Sequence, residues 1–160
     1  MDERGLMAHE QVRRFIDRLA RFFEEAGGTR VDGQVLAWMM ASEGPKSLDG
    51  IASGLQISKA AASQSTRMWE KFGFLERIRL PGDRKVYYQV RPDLMRAMLE
   101  NVIKQYAAFS AVLEEGQEAL ADAGLPVNPG IKNLAKMCRR LVSRVPEVIR
   151  ELEDEALQDG

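Results

Sequence analysis

The chain has 160 residues, of which 45% are hydrophobic, and its formal net charge is −1. This composition is typical of a globular protein with one domain and an extension. No apolar run approaches the ~18 residues of a membrane span. The first residues also lack the basic-then-apolar pattern of a signal peptide, so we expect a cytoplasmic protein that contacts no membrane.

The sequence offers little catalytic or metal-binding chemistry. A single cysteine, Cys138, and a single histidine, His9, lie far apart, which gives neither an internal disulfide nor a zinc-ligand spacing. There is no Gly-rich phosphate loop and no nucleophile elbow. We therefore expect neither an enzyme nor a cofactor, and a small helical enzyme is disfavoured.

Basic residues are concentrated in one segment. Between Ser58 and Arg91, eight basic residues accompany three acidic ones, a local net charge of +5 that leaves −6 for the rest of the chain. A basic patch on an otherwise acidic protein directs one face toward a phosphate backbone.

The first half of the chain is predicted to be helical. Apolar residues recur at three- and four-residue steps from Glu3 to Ala26, and Gly27-Gly28 ends this amphipathic helix. A second helix is predicted from Val31 to Ser42. Ser47 and Ser58 are typical N-caps, so two further helices begin after them and are joined by a tight turn.

A β-hairpin is predicted to follow. The helix after Ser58 ends at Gly73, and two strand-like runs, Leu75–Leu80 and Lys85–Val90, come next. Pro81-Gly82 between them suits a turn that needs a positive φ at its second central residue. A helix-turn-helix followed at once by a hairpin is the winged-helix arrangement, in which the second helix enters the major groove.

The last part of the chain is again helical. Pro92 is predicted in the first turn of a helix that runs to about Ala123. After a Pro/Gly-rich loop, a final helix is predicted from Ile131 to about Leu157, interrupted or kinked near Pro146.

The predicted fold is mainly α (α+β), a winged helix-turn-helix with long N- and C-terminal dimerisation helices. Residues 3–26 form the first dimerisation helix in this prediction, residues 31–91 the DNA-binding domain and residues 92–157 the C-terminal dimerisation region.

Helical periodicity separates two faces of the helix that follows Ser58. An inner stripe contains Ala62, Ser65, Thr66, Trp69 and Phe72. The outer face carries small, amide and basic groups suited to contacts with bases and phosphates, because Gln reads adenine, Arg reads guanine, and Ser or Lys holds phosphate. The candidate DNA-binding residues of this helix are Ser58, Lys59, Ala60, Ser63, Gln64 and Arg67.

The hairpin supplies the second group of candidates. Arg84 and Lys85 lie at its tip, and Arg79 lies on the strand that leads to it. Such residues can reach an adjacent minor groove, whose negative potential attracts arginine. Asp83 is predicted to orient the loop rather than to touch DNA.

The segments from Ile51-Ala52 to Leu75 and from Pro81 to Lys85 resemble the MarR family of bacterial winged-helix regulators. The resemblance is nearest to the GbsR-like branch, where a Pro-Gly-Asp-Arg-Lys wing is followed by paired tyrosines, here Tyr87-Tyr88. It departs at Leu80, which replaces a common aspartate, and in the Ala-rich recognition helix, so no base preference is transferred. The resemblance implies a homodimeric repressor on a palindromic DNA operator, often released by a small organic effector.

Three questions stay open at the level of sequence. Trp38 and Tyr106 are candidates to border an effector cleft for an aromatic or quaternary-ammonium molecule, although such residues more often pack in a core. Cys138 is expected to be a buried thiol, with a redox sensor as the alternative because Arg139 and Arg140 are adjacent. A winged-helix protein-interaction module without DNA binding is the remaining alternative function.

Overall fold

The structure is a computed structural model that describes residues 6–158, with side chains described as far as residue 155. The chain divides into two compact units, one up to Leu94 and one from Met95 onward. Among the described helices, none is both long enough and apolar enough to cross a membrane.

The described part of the first unit contains helices and three short strands after a 3₁₀ turn at Leu6–Ala8. In chain order these are α1 (Glu10–Glu25), α2 (Arg30–Ala41), β1 (Lys46–Ser47), α3 (Leu48–Leu55), α4 (Lys59–Lys71), β2 (Leu75–Ile78) and β3 (Tyr87–Val90). The second unit consists of α5 (Leu94–Asp122), whose first residue lies at the boundary, and α6 (Pro129–Gln158). The predicted mainly helical winged helix-turn-helix is confirmed.

The first helix is shorter than predicted. It begins at Glu10, because His9 has extended dihedral angles and the preceding residues form the 3₁₀ turn. Leu6 is buried in the core at 3% exposure, and Arg13 donates hydrogen bonds to the carbonyls of Met7 (2.8 Å) and Ala8 (3.3 Å). These contacts hold the chain in a turn where periodicity alone predicted helix. Residues 3–5 of the predicted helix lie outside the described residues.

Side-chain caps fix where three of the helices begin. Thr29 and Asp32 form a capping box at the start of α2, in which the Thr29 hydroxyl accepts from the Asp32 N–H. The predicted caps are confirmed: Ser47 Oγ accepts from the Gly50 N–H and Ser58 Oγ from the Ala61 N–H, both at 3.1 Å. Between α3 and α4, Gln56 adopts a left-handed conformation with φ of 56°, which makes the sharp turn of the helix-turn-helix.

The hairpin pairs in the predicted order, and a third strand joins it. In the antiparallel pair of β2 and β3, Leu75 lies opposite Val90 and Ile78 opposite Tyr87. β1 pairs with the other edge of β3, so the strand order is β1-β3-β2. The two-residue β1 was missed because it is too short to show a period-2 pattern. It ties the start of α3 to the hairpin.

The core of the first unit is built around two tryptophans. Trp38 of α2 is fully buried, and Trp69 of α4 is 3% exposed. The Trp69 ring packs edge to face against Phe23 of α1, with ring centroids 4.8 Å apart, and against Phe74 at 5.1 Å. α1 therefore belongs to the core of this unit, whatever further role it has.

The second unit is an antiparallel pair of helices. Ser110 of α5 donates to the carbonyl of Ala135 of α6, and Arg96 of α5 pairs with Glu153 of α6 at 3.0 Å. Of the predicted interruption or kink near Pro146, the interruption is wrong, because α6 continues through that residue. Pro92 also precedes the first turn of α5 instead of lying in it.

Substitution of two glycines by alanine is expected to change the stability of the fold in opposite directions. A Cβ at the buried Gly33 would lie 2.5 Å from Ala20 Cα and 2.8 Å from Leu19 O, which are backbone atoms of α1 that cannot move independently. A Cβ at Gly116, on the exposed surface of α5, would meet nothing within 4 Å.

We predict that Gly33→Ala lowers the free energy of unfolding by about 1–3 kcal/mol through overpacking. Gly116→Ala is the matched control and should raise it by about 0.5–1 kcal/mol, since it removes glycine from a helix interior. Denaturant titration of both variants measures the difference. Equal effects of the two substitutions would contradict the close α1–α2 packing.

Candidate nucleic-acid interface

The recognition helix α4 presents two faces of different character. Ala62 and Thr66 are fully buried and Ser65 is 1% exposed, so the inner stripe packs against the core. Thr66 donates its hydroxyl hydrogen to the Ala62 carbonyl at 2.9 Å, which satisfies a polar group inside that packing. The outer residues Lys59, Ala60, Gln64 and Arg67 are exposed, as is Ser58 at the N-cap, and Ser63 is half-buried.

Arg67 is partly oriented by its own helix. Its Nε donates to the carbonyl of Ser63 at 3.1 Å. This bond leaves both terminal nitrogens of the guanidinium for other acceptors, and those two groups form the fork that matches guanine O6 and N7.

Lys59 has an acidic neighbour that sequence reasoning missed. Its Nζ lies 2.8 Å from Oδ1 of Asp49, in the first turn of α3. The hydrogen bond and the charge of Lys59 lower the pKa of Asp49 below its usual value, and the charge of Lys85 in the wing adds to the effect. The sequence pattern of α4 contains no acid before Glu70, but the tight turn between α3 and α4 brings one to its first residue.

The wing, defined as residues 75–90, contains the predicted tight turn. Gly82 has φ of 79°, and the Asp83 N–H donates to the Leu80 carbonyl at 3.1 Å. Proline at the first central position and glycine at the second are what a type II turn requires.

Asp83 organises the return side of the wing. Its carboxylate accepts from the Lys85 N–H at 2.8 Å and from the Tyr87 hydroxyl at 2.7 Å. These two bonds lower the pKa of Asp83, the backbone bond being the larger cause, and the same carboxylate raises the pKa of Tyr87. Asp83, which the sequence predicts to orient the loop, thus links the turn to Lys85 and to the first residue of β3.

The cations of the wing differ in how they are held. Arg77 pairs with Glu70 of α4 at 3.3 Å and lies 5.7 Å from the centre of the Tyr88 ring, which braces the wing against α4. Arg79, Arg84 and Lys85 are exposed, and within residues 6–158 they form no ion pair at the 4 Å distance of such a contact.

The two candidate effector residues lie in separate units. Trp38 is 0% exposed in the core of the first unit, in contact with Gly54, where an added Cβ would lie 2.5 Å from the indole. Tyr106 is 38% exposed on α5 in the second unit. The structure gives Trp38 no surface that a ligand can touch.

Cys138 is fully buried between helices of the second unit, as expected for a core thiol. In the part of the chain that the structure describes, no group of three or more His, Cys, Asp or Glu side chains is placed to hold a metal ion.

Comparison with known proteins connects this geometry to a family. The chain is 30% identical to the HTH-type transcriptional regulator MmpR5 of Mycobacterium tuberculosis (strain ATCC 25618 / H37Rv) over 124 residues, which are 77% of this chain and 74% of that protein. No protein-family model matches the chain.

Among solved structures, the crystal structure of a transcriptional regulator superposes with a TM-score of 0.83 at 24% identity, covering 90% of this chain and 99% of that one. A mutant of S. aureus MepR bound to an oligodeoxyribonucleotide gives a looser likeness, with a TM-score of 0.41 at 16% identity over 89% of this chain and 93% of that one.

The first of these structures supports the fold, and the similarity to MmpR5 extends over most of both chains. Transcriptional regulators are a non-enzymatic class, in agreement with the lack of catalytic motifs in the sequence. The chain belongs to the HTH-type transcriptional regulators and has their winged-helix fold.

Proposed function

We propose that the protein is a homodimeric repressor that reads a palindromic operator with α4 and the wing of each protomer. The observation that carries this proposal is the pairing of a buried inner face of α4 with an exposed outer face, beside a wing whose tip presents Arg79, Arg84 and Lys85. A surface of this kind supplies both base-reading groups and phosphate-binding cations.

The proposed contacts follow from the chemistry of the outer face. Gln64 reads an adenine edge through its amide, and Arg67 reads guanine through its two terminal nitrogens. Ser58 and Lys59 hold phosphate near the N-terminus of α4, where the helix dipole also favours an anion. Ala60 and Ser63 allow close approach, because their side chains are small.

The wing is proposed to enter the adjacent minor groove. Arg84 and Lys85 at the tip, with the exposed Arg79 directly after β2, suit the negative potential of a narrow groove. Asp83 keeps this tip in one conformation, so less ordering is required when DNA binds. The sequence of the wing and the paired tyrosines 87 and 88 place the chain, in our proposal, nearest the GbsR-like branch of the family.

A second copy is proposed to cover the apolar surface left by α6. One face of that helix packs within its own unit through Ala135, Cys138, Val145 and Ile149. A second face exposes Met137 at 50%, Leu141 at 36% and Val148 at 40%. Unpartnered apolar faces of this kind mark an interface.

The dimer extends, in our proposal, over the outer helices of both ends. On α1, Phe15 is 42% and Phe22 60% exposed, with Leu19 between them. Residues 3–26 and 92–157 are therefore retained as the dimerisation regions and residues 31–91 as the DNA-binding domain. Trp38 is enclosed in the core and offers no surface to an effector, so no effector is assigned to the proposed repressor.

Replacing Tyr87 by phenylalanine tests the order of the wing. The pKa of Asp83 is lowered by the Lys85 N–H first and the Tyr87 hydroxyl second, so Tyr87→Phe should raise it part of the way toward 3.8. A lowered pKa means that the bonds of Asp83 stabilise the wing above about pH 4 and are lost as the pH falls through the folded-state pKa. Carboxyl NMR titration measures the change, with Tyr106→Phe as the control, and an unchanged pKa would contradict the bond.

Arg84→Ala is expected to weaken DNA binding by about 1–3 kcal/mol, since it removes a charged groove contact at the tip of the wing. Fluorescence anisotropy on duplex DNA across a salt series measures this loss. Arg30→Ala, at the start of α2 and outside both the proposed DNA contacts and the proposed dimerisation helices, removes the same charge and should have little effect. Wild-type binding without a steep salt dependence would count against the whole proposal and favour a protein-interaction module.

Light scattering should give twice the 18.0 kDa mass of the chain at micromolar concentration. Met137→Glu, which places a charge on the exposed apolar face of α6, should weaken the dimer by about tenfold or more, because a charge is costly to bury without a partner. Ser143→Glu introduces the same charge elsewhere on α6 and should leave the dimer intact. A monomeric wild-type protein would contradict this part of the proposal.

A further inference from the structure

Lys59 and Asp49 form the one ion pair that joins α3 to α4 among the described residues. Nζ of Lys59 lies 2.8 Å from Oδ1 of Asp49, and the two side chains are 64% and 63% exposed. Both groups lie at the N-terminal end of α4, which the helix-turn-helix arrangement turns toward DNA. A carboxylate at this place is unexpected, since it repels phosphate.

The ion pair restrains a side chain that is otherwise very mobile. A lysine has a flexible four-carbon stem and can follow phosphates in many positions, so a free Lys59 contributes to binding of any duplex. Its ammonium has three hydrogen-bond donors, and the bond to Asp49 uses one of them. When Lys59 is paired with Asp49, its ammonium keeps two donors for a phosphate. It can use them only for a phosphate that lies next to this fixed position.

This restraint acts differently on random DNA and on an operator. Random duplex is bound almost entirely through phosphates, in many registers, and most registers do not place a phosphate at the held ammonium. On an operator, base contacts fix the register of α4, and a single well-placed phosphate can bridge to the held ammonium.

We propose that Asp49 is a positioning residue that holds Lys59, lowers affinity for non-specific DNA and thereby increases discrimination for the operator. The inference rests on the proposed DNA-binding function. Two measurements test it: the salt dependence of DNA binding, and the ratio of the affinity for the operator to the affinity for random duplex. A purely structural role of Asp49 would change neither.

Asp49→Asn keeps the shape of the side chain and removes its charge. Binding is measured on random duplex and on an operator obtained by selection, each across a salt series. Affinity for random duplex should rise several-fold, with a salt slope steeper by about one unit as Lys59 gains a phosphate contact. Affinity for the operator should rise less, so the discrimination ratio should fall by about threefold or more.

The chain supplies a matched control in Asp17→Asn. Asp17 of α1 pairs with Arg30 of α2 at 2.9 Å, also between two helices of the same unit and also exposed. Asp17 lies on the side of α1 that meets α2, away from the Phe15, Leu19 and Phe22 face of the proposed dimer. This variant makes the same change in net charge without touching α3, α4 or that face, so both affinities and the salt slope should stay unchanged. An equal gain from both variants would assign the effect to net charge and overturn the proposal.

A double-mutant cycle with Lys59→Ala tests whether Asp49 acts through Lys59. In the Lys59→Ala background, Asp49→Asn should have less than about one-third of its effect on the random duplex, because the held side chain is gone. An undiminished effect would show that Asp49 repels phosphate directly and overturn the proposed restraint, as would unchanged binding in the single variant.

Failure of this inference is distinguishable from failure of the proposed function. A wild-type protein that binds no duplex overturns both. A wild-type protein that binds an operator with normal salt dependence, with no change in Asp49→Asn, overturns only the role of Asp49. A selective loss of operator affinity in Asp49→Asn would instead assign a direct base contact to that carboxylate and also overturn the restraint.

Discussion

The arrangement of the first unit depends on one buried hydrogen bond. Nε1 of Trp69, on the inner face of α4, donates to the backbone carbonyl of Asp32 in α2 at 2.8 Å. The side chain of the same Asp32 closes the capping box with Thr29 that begins α2. One residue thus sets where α2 starts and where α4 docks. Breaking this bond would leave a buried donor without a partner, which is more costly than the bond itself is favourable.

The outer face of α4 follows from that docking. Since Trp69 fixes the rotation of the helix about its axis, Gln64 and Arg67 are turned outward by helical geometry alone. The wing is placed by a second set of contacts, because Arg77 reaches Glu70 of α4 and β1 pairs with β3. Recognition helix and wing are therefore positioned by contacts that lie within the first unit.

Much of this could be predicted from the sequence, because the signals were local. Helical periods, the serine caps at 47 and 58 and the Pro81-Gly82 turn each act over a few residues and appear as expected. What escaped prediction depends on contacts between distant segments. The start of α1 was displaced by burial of Leu6, and α6 continues through Pro146. The partner of Lys59 lies ten positions away on another helix, so the pattern of α4 could not reveal it.

The carboxylate of Asp49 beside Lys59 bears on how a basic surface discriminates between DNA sequences. A surface made only of cations binds every duplex, and the large excess of non-specific DNA in a cell then competes with the operator. Specific binding is improved as much by limiting phosphate contacts as by adding base contacts, because discrimination is a difference between two affinities. In the proposed interface, the exposed arginines of the wing would add phosphate contacts, and the restrained Lys59 at the start of α4 would limit them. The short turn between α3 and α4, where Gln56 takes a left-handed conformation, brings the carboxylate of Asp49 in one helix to Lys59, the first residue of the next.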